Sequence, residues 1–192
     1  IELDPIAVLW YFRRGEAYYY KRKYDAAVAD FTRAIDLNPQ EVSYYNSRGN
    51  AYYNQQKYAE AVADYTKAIE LNPNDANYYK NRGDSYSNQQ KYAEAIEDFT
   101  KAIDLNPQEV SYYQKRGSSY CNLQKYAEAL ADYTKGIQLN PQEVSFYQNR
   151  GNAYFNQQKY AEAITDYTKA IELNPQEVSF YLNRGNSYYN QR

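Results

Sequence analysis

Arginine and aspartate recur in a fixed register along this chain of 192 residues, and ion pairing is the chemistry that they offer. An arginine directly precedes six of the seven glycines, at Arg14, Arg48, Arg82, Arg116, Arg150 and Arg184. Aspartates recur with the same 34-residue step at Asp30, Asp64, Asp98, Asp132 and Asp166. Because a guanidinium group can bind a carboxylate through two hydrogen bonds, we predict a structural ladder of Arg–Asp ion pairs. In the alternative, each aspartate pairs only with the lysine three residues on, as Asp64 would with Lys67.

The residue types that catalysis needs are scarce. The chain has no histidine and one cysteine, Cys121, which takes the place of the aromatic residues Tyr53 and Phe155 in other copies. Six of the glycines are spaced by whole repeats, so no phosphate-binding loop is formed. Carboxylate pairs such as Glu60 and Asp64 recur in nearly every copy, which is typical of a solvated helix face and not of an active site. We therefore expect no enzymatic activity, no catalytic residue, no metal site and no cofactor.

Two helices joined by a short turn would position the charged side chains. Residues 40–73 contain two segments in which apolar or small residues recur at helical spacing, which predicts two helices. Between them lies the short polar sequence NQQK, which suits a turn between antiparallel helices. Pro73 ends the second helix, because the residue before a proline is moved out of the α region. Counting back from the turn places each arginine opposite the aspartate of the same repeat.

The repeat resembles the tetratricopeptide repeat, which has this period. The positions that carry the resemblance are Tyr45, Gly49, Tyr52, Ala61, Tyr65, Ala68 and Pro73, with their equivalents in the other copies. It covers essentially the whole chain. The resemblance implies an all-α fold, a right-handed α-solenoid (superhelix) of antiparallel helix pairs in which each repeat buries its faces against its neighbours.

The register of the repeats predicts a single array. Residues 1–7 resemble the end of later copies and are expected to end a preceding repeat. Complete repeats are expected at 8–41, 42–75, 76–109, 110–143 and 144–177, and residues 178–192 would be the unpaired first helix of a sixth repeat. We expect a fragment of a longer array. Gly136 replaces an alanine at a cost of about 1 kcal/mol, which predicts that the second helix of the fourth repeat is the loosest.

The resemblance also implies a binding surface. First helices line the concave face in this family, and a series of asparagines there can bind the backbone of an extended peptide, because an amide both donates and accepts hydrogen bonds. The expected peptide-binding residues are Asn50, Tyr53, Asn54, Asn81, Asn88, Lys115, Asn122, Asn149, Asn152, Asn156, Asn183 and Asn186. In the alternative, asparagines beside the turn, such as Asn54, only end the first helix.

Composition narrows the class of partner. The formal net charge is −2 and the isoelectric point is about 5.3, so no positive field favours nucleic acid. No apolar run has the length needed to cross a bilayer and no signal peptide opens the chain, which favours a cytoplasmic location without membrane contact. We expect a non-catalytic scaffold that binds an extended peptide or a partner protein in its groove. The alternative is a structural array that stacks end to end with itself into oligomers.

Overall fold

The computed structural model describes residues 5–191, and every regular element among them is an α-helix. The helices are α1 (Pro5–Tyr20), α2 (Tyr24–Leu37), α3 (Val42–Asn54), α4 (Tyr58–Leu71), α5 (Ala76–Asn88), α6 (Tyr92–Leu105), α7 (Val110–Asn122), α8 (Tyr126–Leu139), α9 (Val144–Asn156), α10 (Tyr160–Leu173) and α11 (Val178–Asn190). They form consecutive antiparallel pairs, from α1 with α2 to α9 with α10, and α11 packs on α10. The prediction of an all-α chain of antiparallel helix pairs is confirmed. The chain forms two compact units, one that ends at Leu105 and one that begins at Asn106.

Most of the first helices begin with an acidic cap. The carboxylate of Glu41 accepts a hydrogen bond from the N–H of Ser43 at 3.3 Å, and that of Asp75 accepts one from the N–H of Asn77 at 2.9 Å. The same contact occurs at Glu109, Glu143 and Glu177. Each cap satisfies one of the backbone donors that a helix start leaves without a partner, so the start is fixed locally.

The NQQK turn depends on one residue in the left-handed region. Gln56 has a φ of 61°. Its N–H donates to the carbonyl of Tyr53 and the N–H of Lys57 donates to the carbonyl of Tyr52, both at 2.9 Å. These two bonds form the Schellman motif that commonly ends a helix, here with glutamine where glycine is usual. The left-handed conformation recurs at Arg22, Gln90, Gln124 and Gln158.

The loop after each second helix is held by a proline and a tyrosine. Asn72 is extended, with φ −142° and ψ 93°, as expected for a residue before proline. The hydroxyl of Tyr79 in the next helix donates to the carbonyl of Pro73 at 3.2 Å. Equivalent bonds join Tyr45, Tyr113, Tyr147 and Tyr181 to the preceding prolines. The loop is therefore tied to the helix that follows it.

Glycine allows the two helices of a repeat to approach closely. A Cβ atom on Gly49 would lie 2.8 Å from Cε1 of Tyr65, closer than carbon atoms can pack. The ring at this position meets the glycine of its repeat in the same way at Gly15, Gly83, Gly117 and Gly151. Ala61 and Ala68, on the second helix, are fully buried. The aromatic ring on the glycine and the small residues around it form the core of each repeat.

Two local features bear on the sequence expectations. Of residues 1–7, which were expected to end a preceding repeat, residues 1–4 lie outside the described residues and residues 5–7 form the first turn of α1, so that assignment stays a prediction. Proline suits that first helical position. Gly136 is buried in α8, and the ring of Phe146 fills the space that its Cβ would take. The glycine therefore has a packing role that the sequence did not indicate, and the looseness of α8 stays a prediction.

Candidate functional site

Arginines of the ladder bind the aspartate 16 residues later. Nε and Nη2 of Arg48 donate to the two carboxylate oxygens of Asp64 at 2.8 and 2.7 Å. The same two-bond contact joins Arg14 to Asp30, Arg82 to Asp98, Arg116 to Asp132 and Arg150 to Asp166. Lys67, the alternative partner of Asp64, instead pairs with Glu70 at 2.9 Å. Each of these guanidinium groups therefore binds a carboxylate through two parallel hydrogen bonds, and the contact recurs from repeat to repeat.

The remaining guanidinium nitrogen reaches the preceding repeat. Nη1 of Arg48 donates to Oγ1 of Thr32 at 3.0 Å. The same bond joins Arg82 to Thr66, Arg150 to Thr134 and Arg184 to Thr168. Each of these arginines thus links two consecutive repeats. The threonine column has the same 34-residue step as the arginines, which is the signal that the sequence analysis missed.

Burial and charge act against each other in these pairs. Hydrogen bonds to Asp98 raise the pKa of Arg82, while burial acts to lower it. Burial raises the pKa of the Asp98 carboxyl, and the guanidinium of Arg82 offsets part of that rise. Because arginine stays charged at any pH that a folded protein tolerates, the pair suits a permanent structural contact and not proton transfer.

Three junctions between consecutive repeats each contain a pocket, and equivalent residues line it. Three of its lining residues come from the first helix of a repeat, one from the second helix and two from the first helix of the next repeat. The first junction pocket is lined by Glu16, Tyr19, Tyr20, Phe31, Ser47 and Asn50. The second is lined at the equivalent positions by Asn50, Tyr53, Asn54, Tyr65, Asn81 and Asp84, with Tyr19 and Lys80 in addition. The fifth is lined by Asn152, Phe155, Asn156, Tyr167, Asn183 and Asn186.

The three pockets differ in size and in charge. Their volumes are about 80, 160 and 250 Å³ for the first, second and fifth junction pockets. In the second, the ammonium group of Lys80 lies 3.0 Å from the carboxylate of Asp84. The fifth is lined by four asparagines and two aromatic residues, and none of these carries a charge at neutral pH. The same backbone arrangement therefore presents a different polar surface at each junction.

A buried tyrosine orients the amide in two of the pockets. The hydroxyl of Tyr65 donates to Oδ1 of Asn50, and that of Tyr167 donates to Oδ1 of Asn152, both at 2.7 Å. The two rings are almost fully buried, so each hydroxyl needs an internal partner. Within residues 5–191 the Nδ2 groups of Asn50 and Asn152 make no hydrogen bond. Each therefore keeps two N–H donors for a ligand.

The asparagines beside the turn are held by their own helix. Nδ2 of Asn54 donates to the carbonyl of Asn50 at 2.8 Å and to the hydroxyl of Tyr19 at 3.0 Å. Asn88 and Asn122 bond the carbonyl four residues earlier in the same way. These contacts are the ones expected if the asparagines beside the turn only end the first helix. Asn54 nevertheless lines the second junction pocket, so the column can serve both purposes.

The structure brings together most of the expected peptide-binding residues. Asn50, Tyr53, Asn54 and Asn81 line the second pocket, and Asn152, Asn156, Asn183 and Asn186 line the fifth. The other expected residues are not among the residues that line these three pockets: Asn88, Lys115, Asn122 and Asn149. The sequence analysis omitted Glu16, although it occupies the column of Asn50 and Asn152. It also assigned Tyr65 to the core alone, because hydrophobic spacing does not show where a hydroxyl points.

Cys121 and the acidic residues offer little for chemistry. Burial raises the pKa of the Cys121 thiol, which its contact with the Tyr133 hydroxyl at 3.6 Å only partly offsets. A protonated thiol is a poor nucleophile. Within residues 5–191 no group of three or more cysteine, aspartate or glutamate side chains could hold a metal ion. In the same part of the chain no helix has the length and apolar character to cross a bilayer.

The chain belongs to the tetratricopeptide repeat family. A family model described as TPR repeat matches residues 117–158 and 151–191, and two described as tetratricopeptide repeat match residues 12–76 and 76–109. Proteins of this family are in general non-catalytic interaction scaffolds. Among curated proteins, no sequence matches the chain significantly.

Solved structures of several other proteins have the same fold. MamA protein is 23% identical with a TM-score of 0.85, over 90% of this chain and 94% of that chain. YrrB, described as a TPR protein with an unusual peptide-binding site, is 19% identical with a TM-score of 0.81, over 91% and 90%. A tetratricopeptide repeat protein from Parabacteroides merdae ATCC 43184 is 20% identical with a TM-score of 0.86, over 96% and 73%. At these identities the likeness concerns the fold alone.

Proposed function

We propose that the chain is a non-catalytic scaffold that binds an extended peptide, or an extended segment of a partner protein, in its junction pockets. The observation that carries the proposal is the recurrence of one pocket design at three repeat junctions. The first and second junction pockets are adjacent, since Tyr19 and Asn50 line both. An extended peptide can place successive side chains in adjacent pockets. YrrB, of similar fold, is described as having a peptide-binding site, which supports the proposal.

The chemistry of the pocket walls suits a peptide backbone. Asn50 and Asn152 are oriented by buried tyrosine hydroxyls, and their amide donors can meet backbone carbonyls. Asn183 and Asn186 line the fifth pocket, and their side chains make no hydrogen bond within residues 5–191. The tyrosine and phenylalanine rings beside them offer contact area at low entropic cost. Prepositioned donors reduce the ordering cost of binding.

A peptide-display selection on the full chain tests the proposal. The informative variant carries Asn81→Ala, Asn183→Ala and Asn186→Ala, which removes pocket amides from both compact units. Asn183 and Asn186 are preferable to Asn152, because loss of Asn152 would leave the Tyr167 hydroxyl without its acceptor and could lower stability. We expect the wild-type chain to enrich peptides that the triple variant binds at least tenfold more weakly, a loss of about 1.4 kcal/mol.

A matched control removes the same number of amides outside the pockets. Gln40, Gln138 and Gln176 are exposed, and none of them lines the three junction pockets. Their replacement by alanine should leave peptide binding unchanged. Failure of the wild-type chain to enrich any peptide would overturn the proposal. Equal binding of the enriched peptides by the wild-type chain and the triple variant would overturn the pockets as the site.

Self-assembly is the second candidate, and exposed apolar residues at the two outermost helices favour it. Helix α11 exposes Val178 and Leu182, and α1 exposes Ile6, Leu9 and Trp10. We propose, as the alternative, that a second copy of the chain covers these faces by end-to-end contact. Sedimentation velocity over a concentration series should then show growth that Leu182→Lys abolishes. A chain that stays monomeric at all concentrations would rule this candidate out.

A further inference from the structure

The first junction pocket has a carboxylate where the fifth has an amide. Glu16 occupies the position of Asn50 and Asn152 in the other pockets and lines the cavity with its partly exposed side chain. The remaining described lining residues are two tyrosines, a phenylalanine, a serine and an asparagine, so none of them is a cation. The first junction pocket is therefore the one whose described lining carries a net negative charge.

The residue behind Glu16 carries no hydroxyl group that could bind its carboxylate. In the second and fifth pockets, the hydroxyl of a buried tyrosine donates to the asparagine at this position. The chain has a phenylalanine and no hydroxyl behind Glu16, namely Phe31. The same exchange occurs in the third repeat, where Phe99 and Asp84 stand at these two positions. Phe31 therefore leaves the Glu16 carboxylate without a bond from a buried hydroxyl, so that the carboxylate can accept hydrogen bonds from a ligand.

Aromatic rings form the other wall of the first junction pocket. Tyr19 and Tyr20 both line it, with ring centroids 5.8 Å apart in an edge-to-face arrangement. An ammonium or guanidinium group is attracted both by a carboxylate and by the face of a tyrosine ring. We infer that the first junction pocket binds a basic side chain, lysine or arginine, of the peptide partner. This inference rests on the proposed function and names the chemistry that one of its pockets selects.

Arg13 is the internal cation that competes for Glu16. Its Nη1 atom lies 2.9 Å from Oε2 of Glu16, on the same helix, and the Arg13 side chain is 69% exposed. Exposed ion pairs of this kind contribute little to stability, so a cation from a ligand can replace Arg13 at low cost. The basic residues 21–23 of the following turn are exposed and are not among the lining residues of the pocket.

The test is a parallel peptide-display selection with the full wild-type chain and the double variant Glu16→Asn, Phe31→Tyr. The double variant reproduces the Asn50–Tyr65 pair that the chain already uses, so it should fold, which its thermal unfolding checks. Glu60→Gln is the control for net charge, because Glu60 is exposed and lines none of the three pockets. We expect the wild-type chain and Glu60→Gln to enrich peptides with lysine or arginine at one position. The double variant should show no such enrichment.

A synthetic peptide from the wild-type selection then measures the effect. Replacement of its basic residue by glutamine should weaken binding to the wild-type chain about tenfold, and binding to the double variant less than twofold. If the wild-type chain, Glu60→Gln and the double variant all enrich peptides of the same composition, the inference that the pocket binds a basic side chain is overturned. The proposed function would remain intact. If no protein enriches a peptide, both fail together.

Discussion

Arg82 Nη1 donates to Oγ1 of Thr66, in the preceding repeat, at 3.0 Å, while its Nε and Nη2 atoms are bound to Asp98. One side chain therefore holds the two helices of its own repeat together and also fixes the position of the repeat before it. The side chain is only 19% exposed, so solvent screens these bonds less than it would on an open surface. Recurrence of this contact makes it part of the interface between repeats and not an isolated surface pair.

Removing either partner of Arg82 should lower the free energy of unfolding by different amounts. Thr66→Val deletes one neutral acceptor and is expected to cost about 1 kcal/mol. Asp98→Ala leaves a buried guanidinium without its carboxylate and is expected to cost about 3 kcal/mol. Urea unfolding followed by circular dichroism would measure both. Thr165→Val is the control, because the Thr165 hydroxyl bonds only its own helix at the surface and its loss should cost less than 0.5 kcal/mol.

Equal costs for Thr66→Val and Thr165→Val would contradict an energetic role for the inter-repeat bond. The cycle that combines Thr66→Val with Asp98→Ala adds a further check. Because both residues bind one guanidinium group, the double variant should not lose the sum of the two single losses.

Two glycines of the same column should respond to alanine in opposite directions. A Cβ on Gly151 would meet the ring of Tyr167 at 2.8 Å, whereas, among the described residues, no atom of a packed side chain or of another helix lies within 4 Å of the Cβ position on Gly185. Gly151→Ala is therefore expected to destabilise the chain by about 1–3 kcal/mol through overpacking. Gly185→Ala is expected to stabilise it by up to about 1 kcal/mol, since alanine is the better helix former. Thermal unfolding of the two variants measures both, and a loss of stability in Gly185→Ala would show that this column is constrained by more than packing.

The sequence predicts the repeats and the helix pairs because both follow from local periodicity. It also places Arg48 opposite Asp64, since a helix of known length and a short turn fix which residues face each other. It does not reveal the third bond, to Thr32, because that depends on how one repeat packs on the next. The role of Tyr65 in orienting Asn50, a contact within one repeat, was missed for a different reason. Hydrophobic spacing identifies a buried ring, but the direction of its hydroxyl is set only in three dimensions.

High pH should remove the stability that the hydroxyl of Tyr167 contributes. Burial, with a smaller effect of the Asp166 charge, raises the pKa of Tyr167 from 10.0 to about 12. Because the folded-state pKa lies above the unfolded value, the stability linked to this group is complete below pH 10 and is lost as the pH rises through 12. The expected slope is about 1.4 kcal/mol per pH unit between these values.

Tyr167→Phe isolates this contribution. At pH 8 the variant should be about 1 kcal/mol less stable than the wild-type chain, because Oδ1 of Asn152 loses its donor. Phenylalanine does not ionise, so the difference should fall to zero at about pH 11 and change sign by about pH 11.5, where the wild-type chain becomes the less stable of the two. Urea unfolding of both proteins at pH 8 and pH 11.5 measures it. A difference that stays constant over this range would show that Tyr167 ionises at its ordinary pKa.

The left-handed glutamines of the turns should be improved by glycine. Gln158 has a φ of 60°, which costs a residue with a Cβ about 1–2 kcal/mol and costs glycine nothing in steric terms. Glycine loses more backbone entropy on folding, so the net gain for Gln158→Gly should be at most about 1 kcal/mol. Gln158→Ala keeps the Cβ and should leave the free energy of unfolding within about 0.5 kcal/mol of wild type. If alanine stabilises the chain as much as glycine, the gain comes from the lost side chain and not from the backbone conformation.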